Sequence, residues 1–355
     1  MQTAQNHTGR NELMECLRMV AAFFVICIHF PFPGKVGPFV SALGRFAVPM
    51  FFAVSGYYSF NIRAEKIAKR FWHLVKLNGI GILICLCYVT IRAYDNGNDI
   101  LESWLALIPS IRSFGRWIFV HHNPFGGQYW YLTASAFCYA IFWLYVSFFG
   151  KDRVDYRPLY IVGIALFAVG MALEWVRLYV ENISYYYSCN GWFEGIPMFC
   201  MGLFLREHQQ RIAENFHLNT RKILFILLGA TVLVVVQYFA YGDREQPLGA
   251  FVQTAALILL TQRFPVLSGK SRFLKRIIST FGFLSLSIYM LHTDFSSFFI
   301  YNEYILLPLR FLVGESTEAW LRPFIYYITC LLMGVVVLLA LWCINRIRGK
   351  LKKSK

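Results

Sequence analysis

The chain has 355 residues, of which 57% are hydrophobic and only 15% charged, and its mean hydropathy is +0.50. A water-soluble domain of this size has no core large enough to bury so many apolar side chains. The net charge of +15 does not indicate a nucleic-acid partner, because Lys and Arg lie in short stretches between apolar segments. The composition therefore predicts an all-α, polytopic integral membrane protein.

The first apolar segment, "LRMVAAFFVICIHF" (17–30), carries Arg18 near one end and His29 near the other. Eleven positions of a helix complete three turns to within about 20°, so both side chains should share one face, about 16 Å apart along the axis. Pro31 disfavours helical geometry in the preceding residue, which places His29 in the last turn.

Basic side chains inside a membrane are costly, by about 2.5–3.5 kcal/mol each near its centre, and usually line a protein interior or a wet cavity. Arg18 and His29 are therefore the first candidates for a functional site. Two alternatives stay open from spacing alone. His29 could be satisfied by a neighbouring helix, and Arg18 could extend to the inner membrane surface.

Ten segments are predicted to cross the membrane as helices. They cover residues 13–31, 43–60, 74–93, 128–149, 158–177, 191–206, 222–241, 248–263, 279–300 and 321–345. The amphipathic segment 100–120 is expected to lie on the outer surface or to re-enter the membrane. If the N-terminus is cytoplasmic, 23 Lys and Arg fall in inner segments and 5 in outer loops. This bias predicts that both termini are cytoplasmic.

One membrane domain over residues 13–345 is expected, with a cytoplasmic segment at 1–12 and a basic cytoplasmic tail at 346–355 facing anionic lipid. The expected location is the plasma or inner membrane of the cell. The oligomeric state is left open.

Other polar side chains recur in or beside the predicted spans. They are Arg45 and Ser55 in the second span, Asn190 and Glu194 in "CNGWFEGIPMFCMG", and Ser285, Ser287, Tyr289 and His292 in "SLSIYMLH". Each alone is typical of helix packing or of the membrane interface. Together with Arg18 and His29 they favour a polar site inside the membrane. His121 and His122 are interpreted as surface residues, and no metal site is predicted.

The chain resembles the acyltransferase type 3 family of integral membrane acyltransferases. "MECLRMVAAFFVICIH" is similar to its first helix, in which an acidic residue, an Arg three positions on and a His after ten further residues recur. Here these positions are Glu15, Arg18 and His29. "RFAVPMFFAVSGYY", "YWYLTASAFCY" and "SLSIYMLH" resemble later helices of the family through Arg45 and Ser55, Trp130, and Tyr289 and His292. The family has several arginines after the second span. Arg70 matches one of these positions, and Lys69 lies beside it.

The resemblance implies transfer of an acyl group, most often acetyl from acetyl-CoA, to a hydroxyl of a cell-envelope carbohydrate or lipid-linked glycan. His29 would act as general base or as transient acyl carrier, and Arg18, oriented by Glu15, would hold acetyl-CoA with Arg70 and Lys69. The candidates for acceptor binding or oxyanion stabilisation are Arg45, Ser55, Trp130, Asn190, Glu194, Tyr289 and His292.

Two other classes compete with the enzyme. A transporter or flippase for an amino acid or a lipid-linked sugar would use Arg18, Glu194 and His292 as coupling groups. The absence of a detectable repeat in the sequence argues against it. A membrane scaffold without catalytic function has no need for an Arg and a His on one face of a helix.

Overall fold

The computed structural model describes residues 11–150, 154–180, 183–267, 269, 271–293 and 306–351, and every regular element in these ranges is helical. The helices are α1 (Glu12–His29), α2 (Val36–Gly44), α3 (Ala47–Tyr57), α4 (Ala64–Asp95), α5 (Ile100–Leu105), α6 (Ile111–Val120), α7 (Trp130–Phe149), α8 (Arg157–Val176), α9 (Ile196–Glu207), α10 (Gln209–Asn215), α11 (Thr220–Tyr241), α12 (Leu248–Arg263), α13 (Arg272–Leu291), α14 (Leu306–Val313) and α15 (Glu315–Leu351). A 3₁₀ turn (Gly127–Tyr129) precedes α7, and a 3₁₀ turn (Tyr185–Tyr187) and a π turn (Gly191–Gly195) precede α9.

Seven segments within the described ranges are long and apolar enough to cross a membrane. They are Val36–Tyr57, Ala64–Asp95, Gly127–Phe149, Arg157–Val176, Thr220–Tyr241, Arg272–Leu291 and Glu315–Cys343. The other three predicted spans are also helical, but α1 carries three charged residues, and α9 and α12 have only 12 and 16 residues. The all-helical prediction is confirmed, whereas the count of ten spans and the side on which the termini lie stay predictions.

The predicted amphipathic segment 100–120 forms two short helices, α5 and α6, neither of which buries a residue. The Trp104 indole on α5 donates to the Thr90 hydroxyl on α4 at 2.9 Å, and the Trp117 indole on α6 donates to Thr133 on α7 at 3.2 Å. The segment therefore lies against the sides of α4 and α7.

α1 is anchored at its N-terminus and packed along its length. The Asn11 side chain accepts a hydrogen bond from the Met14 N–H at 3.0 Å, which caps the helix, and donates to the Thr261 carbonyl at 2.9 Å. The helix ends at His29, where the sequence before Pro31 predicts it. Since α1 also packs against α2, α3, α13 and α15, the positions of its polar side chains are set by the whole bundle.

Two glycines let α3 and α9 approach closely. A Cβ on Gly56 would lie 1.9 Å from the Phe199 carbonyl oxygen, and one on Gly202 would lie 1.9 Å from the Ala53 carbonyl oxygen. Small residues of this kind allow backbone contact between membrane helices, where no hydrophobic effect drives association. The close approach of α3 and α9 thus requires a residue without a side chain at both positions.

We expect Gly202→Ala to lower the thermal stability of the detergent-solubilised protein, because overpacking a core costs about 1–3 kcal/mol. Gly79→Ala on α4 is the matched control, since its Cβ would meet nothing within 4 Å and Ala is a better helix former than Gly. Size-exclusion chromatography after heating measures the fraction of each variant that stays folded. Equal stability of the two variants would contradict the close α3–α9 contact.

Candidate active site

Two histidines meet at one end of the bundle, which we call the outer end, following the predicted orientation. His29 in the last turn of α1 is exposed, while His292, which follows α13, is fully buried. Their ring centroids are 4.8 Å apart. The His292 Nδ1 lies 2.6 Å from the Tyr289 carbonyl oxygen. Because a carbonyl only accepts, this contact assigns the proton to Nδ1 and makes Nε2 the acceptor of a neutral ring.

Tyrosines extend the site from His292 toward α7. The Tyr289 ring lies 5.8 Å from the His292 ring and 5.1 Å from the Tyr131 ring. The Tyr289 hydroxyl donates to the Gln128 carbonyl, and the Tyr129 hydroxyl donates to the Met290 carbonyl at 3.3 Å. These two bonds lock the start of α7 onto the end of α13, which holds Tyr289 in a fixed orientation.

Arg18 occupies the other end of this tyrosine path. Its Nη1 lies 3.5 Å from the buried Glu15 carboxylate, one turn earlier on α1. Arg18 is within electrostatic range of Tyr131 and of Tyr58, so it faces the interior of the bundle. Its buried Nε has no hydrogen-bond partner among the residues that the structure describes. The guanidinium is thus held by Glu15 with donor capacity left for a ligand.

Arg45 is held by two acidic residues that sequence reasoning missed. Its Nε and Nη2 donate to the Asp243 carboxylate at 3.0 and 2.9 Å, and its Nη1 donates to Glu245. The Ser41 hydroxyl donates to the same Asp243 at 2.7 Å. His29 lies within electrostatic range of Arg45. Arg45 therefore ties the outer loop 242–247 to the start of α3, next to His29.

Both partners lie in the sequence "YGDREQP", which follows a predicted span at the outer end. A buried Arg with no acidic neighbour on its own helix requires a counter-charge from elsewhere. The sequence alone does not indicate which carboxylate this is, because several outer loops carry Asp or Glu residues.

Asn190 lies just before the π turn, and Glu194 lies in it. The Asn190 side chain accepts hydrogen bonds from the Trp192 and Phe193 N–H groups at 2.8 and 3.2 Å, so it caps this turn. Glu194 is buried, and its carboxylate accepts from the Cys189 thiol at 2.9 Å. Glu194 is also within electrostatic range of Arg45, which brings it close to the His29 region.

His121 contradicts its interpretation as a surface residue, because it is buried. Its Nδ1 accepts from the Gly191 N–H at 3.2 Å, and its ring lies 4.6 Å from that of Phe137. Burial lowers the pKa of His121 to about 4, so the ring is neutral at pH 7. The side chain fixes the start of the π turn against α7. His122, by contrast, is partly exposed.

Arg70 and Lys69 lie at the opposite, inner end. Arg70 Nη1 donates to the Tyr58 carbonyl at 3.0 Å and to the Ser59 hydroxyl at 2.9 Å, at the C-terminus of α3. Lys69 is exposed. A cavity of about 690 Å³ opens close by, and its lining includes Arg63 and Tyr156. Arg63 is the basic residue of this lining, and Glu65 also belongs to it.

Ser55 and Trp130 complete the predicted set. Ser55 contacts Tyr131 through its side chain, and its carbonyl accepts from the Ser59 hydroxyl at 2.6 Å. Through Ser59 this connects Tyr131 to Arg70. Trp130 packs its ring 6.2 Å from that of Phe52. The structure thus links the inner residues to the outer pair through Ser55, Tyr131 and Tyr289, and it places Trp130 in the packing around this path.

Comparison with known proteins gives one match. A family model described as an acyltransferase domain, that of the acyltransferase type 3 family, matches residues 11–349, nearly the whole chain. No curated protein and no solved structure matches the chain. The matched range includes the paired histidines, Arg18 with Glu15, and the inner basic residues. The chain belongs to the acyltransferase type 3 family of integral membrane acyltransferases.

Proposed function

We propose that this membrane acyltransferase moves an acetyl group from acetyl-CoA to a hydroxyl of a cell-envelope carbohydrate or lipid-linked glycan. The observation that carries the proposal is the pairing of exposed His29 with buried His292 at the outer end. An accessible imidazole can act as a general base, and a neighbouring ring of fixed tautomer can orient it.

His292 prepares His29 for this role. With its proton on Nδ1, His292 offers Nε2 as an acceptor toward the neighbouring ring, and the centroid distance of 4.8 Å allows a hydrogen bond between the two imidazoles. Accepting the N–H of His29 leaves the other His29 nitrogen as a base. His29 takes the proton of the acceptor hydroxyl, the oxygen forms the new ester bond, the thioester bond breaks, and the proton passes to the departing thiolate.

A covalent route gives the same products. In that route a His29 nitrogen first takes the acetyl group from the thioester and then passes it to the acceptor oxygen. Both routes use the same residues, and they differ in whether label from the donor is found on the protein. Brief reaction with radiolabelled acetyl-CoA, without acceptor, distinguishes them.

The inner residues suit a donor that carries phosphates. Arg18 has donor capacity left on a buried nitrogen, Lys69 is exposed, and Arg63 lines the cavity of about 690 Å³. Charge-assisted hydrogen bonds from such groups are the usual means of holding phosphate. We assign Arg18 to the donor near the membrane interior, and Arg70 and Lys69 to its polar part at the inner end.

Arg45 and Tyr289 are better suited to positioning than to oxyanion stabilisation. The Arg45 nitrogens already donate to Asp243 and Glu245, and the Tyr289 hydroxyl donates to Gln128. Moving these donors to an oxyanion would leave buried acceptors without partners, which is costly. We therefore assign Arg45 to holding the outer loop and Tyr289 to orienting His292.

We expect His29→Asn to reduce acetyl transfer by a factor of about 10²–10⁴, the usual contribution of a general base. The measurement is transfer of radiolabel from acetyl-CoA to membrane glycans in vesicles. His217→Asn is the matched control, because His217 is exposed and its positive φ of 44° suits Asn. Undiminished transfer by a correctly inserted His29→Asn protein would remove His29 from the mechanism. Gradient-driven uptake without acylation would instead favour the transporter.

Arg18→Gln should raise the KM for acetyl-CoA about 10- to 100-fold, as expected for losing one or two hydrogen bonds to a charged group. Arg92→Gln on α4 is the control. Arg92 is exposed, and its guanidinium donates to the hydroxyl of Tyr88 and lies over the same ring. Steady-state kinetics with varied acetyl-CoA measures both. An unchanged KM in Arg18→Gln would exclude Arg18 from donor binding.

His292→Phe should lower kcat about tenfold with little change in the KM for acetyl-CoA, because it removes the acceptor that orients His29. His292→Gln should recover part of kcat, since an amide can both donate to the Tyr289 carbonyl and accept from His29. If His292→Phe and His292→Gln reduce kcat equally, the orienting role of His292 is wrong. The same holds if the KM for acetyl-CoA rises by the factor by which kcat falls.

A further inference from the structure

Two arginines share one carboxylate at the outer end of the bundle, and none of the steps above uses them. Arg322 donates to both oxygens of the Glu318 carboxylate, from Nε to Oε1 at 3.1 Å and from Nη2 to Oε2 at 3.3 Å. Arg310, on α14, donates from Nε to the same Oε2 at 3.3 Å. The two guanidinium groups therefore lie side by side. We call these three residues the outer cluster.

The outer cluster lies at the same end of the bundle as His29. The Phe32 ring, three residues after His29, lies 6.0 Å from the Trp320 ring, and Trp320 stands between the two cluster residues of α15 in the sequence. The Phe30 ring stacks on the Tyr326 ring, further along α15, at 3.6 Å. The segment that follows His29 is thus packed against the part of α15 that carries the cluster.

The cluster contains more positive charge than its carboxylate balances. The Glu318 side chain is fully buried, whereas the side chains of Arg310 and Arg322 are 34% and 38% exposed. A buried carboxylate requires a counter-charge, and Arg322 supplies one through two hydrogen bonds. Arg310 is therefore a second guanidinium on a carboxylate that is already paired.

Arg310 has donors that are both unused and accessible. A guanidinium carries five N–H bonds, and only one of them is on Nε. Among the residues that the structure describes, the Arg310 guanidinium donates to Glu318 alone, through Nε. Neither Nη1 nor Nη2 of Arg310 is buried. A ligand that approaches from outside the bundle can therefore reach both nitrogens.

The surface next to Arg310 is apolar and aromatic. On α14, Phe311 and Leu312 are 85% and 81% exposed, and Trp320 on α15 is 47% exposed. The membrane-crossing part of α15 begins at Glu315, so the cluster lies at the boundary of this segment. Trp is common at the level of lipid headgroups, and Arg side chains near helix ends extend to that level. The Arg310 guanidinium thus lies where hydrocarbon meets the headgroups.

An ordinary interfacial arginine does not need this arrangement. Basic residues are concentrated in the predicted inner segments, and Arg310 is one of only five Lys and Arg in the predicted outer loops. An arginine that merely extends to water requires no buried carboxylate to hold it. Because Glu318 fixes Arg310 beside a second guanidinium, less side-chain entropy is lost when a ligand binds.

The remaining donors of Arg310 suit an anion with several oxygen acceptors. The two Nη groups of a planar guanidinium match two oxygens of a phosphate, with charge-assisted hydrogen bonds. The neighbouring Arg322 disfavours a headgroup that also carries an ammonium group. The exposed apolar side chains favour a phosphate that is attached to hydrocarbon over a free phosphate, which is fully hydrated in water.

We propose that Arg310, held by Glu318 beside Arg322, binds the phosphate of an anionic lipid at the outer end of the bundle. The hydrocarbon chains of this lipid extend along the apolar surfaces of α14 and α15. Binding requires neither acetyl-CoA nor an acceptor, so the site does not rest on the proposed function.

The test uses the full-length protein in phosphatidylcholine nanodiscs with a trace of phosphatidylglycerol that carries a photoreactive diazirine near the start of one acyl chain. After irradiation, mass spectrometry of peptides measures the labelling of residues 306–324. We expect Arg310→Gln to reduce this labelling about tenfold, as for the loss of hydrogen bonds to a charged group. Glu318 keeps both bonds from Arg322 in this variant.

Arg112→Gln is the matched control, because Arg112 is an exposed arginine of α6 in the predicted outer segment. It should leave the labelling of residues 306–324 unchanged. Equal losses in the two variants would show general attraction of anionic lipid to positive charge and would overturn the site. Unchanged labelling in Arg310→Gln would overturn it as well.

Competition in the wild type tests the ligand without any variant, so the proposal stays open to refutation even if Arg310→Gln does not fold. Unlabelled phosphatidylglycerol should reduce the labelling of residues 306–324, whereas the same mole fraction of diacylglycerol should not. Equal effects of the two lipids would show ordinary contact with bulk lipid and overturn the site. Displacement of the probe by inorganic phosphate at the same total concentration would reject a lipid as the occupant.

Discussion

A basic side chain taken out of water inside a membrane must find counter-charges or polar partners in the protein, and this requirement organises the described structure. Arg45 obtains two carboxylates from the outer loop 242–247, and Arg177 obtains one from Glu174. The first pairing brings the outer loop against α2 and α3. The Gln246 side chain of the same loop donates to the Ser188 carbonyl at 2.9 Å, so the loop is also tied to the segment before the π turn.

Polar and aromatic side chains join the two ends of the bundle. Arg18 is within range of Tyr131, Tyr131 packs on Tyr289, and Tyr289 packs on His292 beside His29. These residues come from α1, α7 and α13, so no single helix defines the path. Hydrogen bonds from Tyr289 and Tyr129 across α7 and α13 keep it rigid, which is what preorganisation of a reactive group demands.

Local signals in the sequence predicted the parts of the fold and site that depend on neighbouring residues. Pro31 marked the end of α1, and the spacing of Arg18 and His29 indicated that both lie on one face of that helix. Such local signals do not predict contacts between segments that are distant in the sequence. No residue near Arg45 in the sequence indicates that Asp243 is its partner. The contact of buried His121 with Gly191, at the start of the π turn, is not indicated by neighbouring residues either. Glu174 lies inside the predicted span 158–177, where a carboxylate is costly, but nothing next to it indicates the Ser188 hydroxyl from which it accepts.

The distribution of charge between the two ends supports a division of labour between donor and acceptor. Exposed Lys66, Lys69 and Arg63 at the inner end attract a polyanion such as a nucleotide phosphate. At the outer end, the carboxylates of Asp243, Glu245 and Glu174 are paired with the guanidinium groups of Arg45 and Arg177. In the proposed function, a donor held at the inner end reaches His29 along the face of α1 that carries Arg18. The proposal thereby gives a reason for both basic residues on that helix.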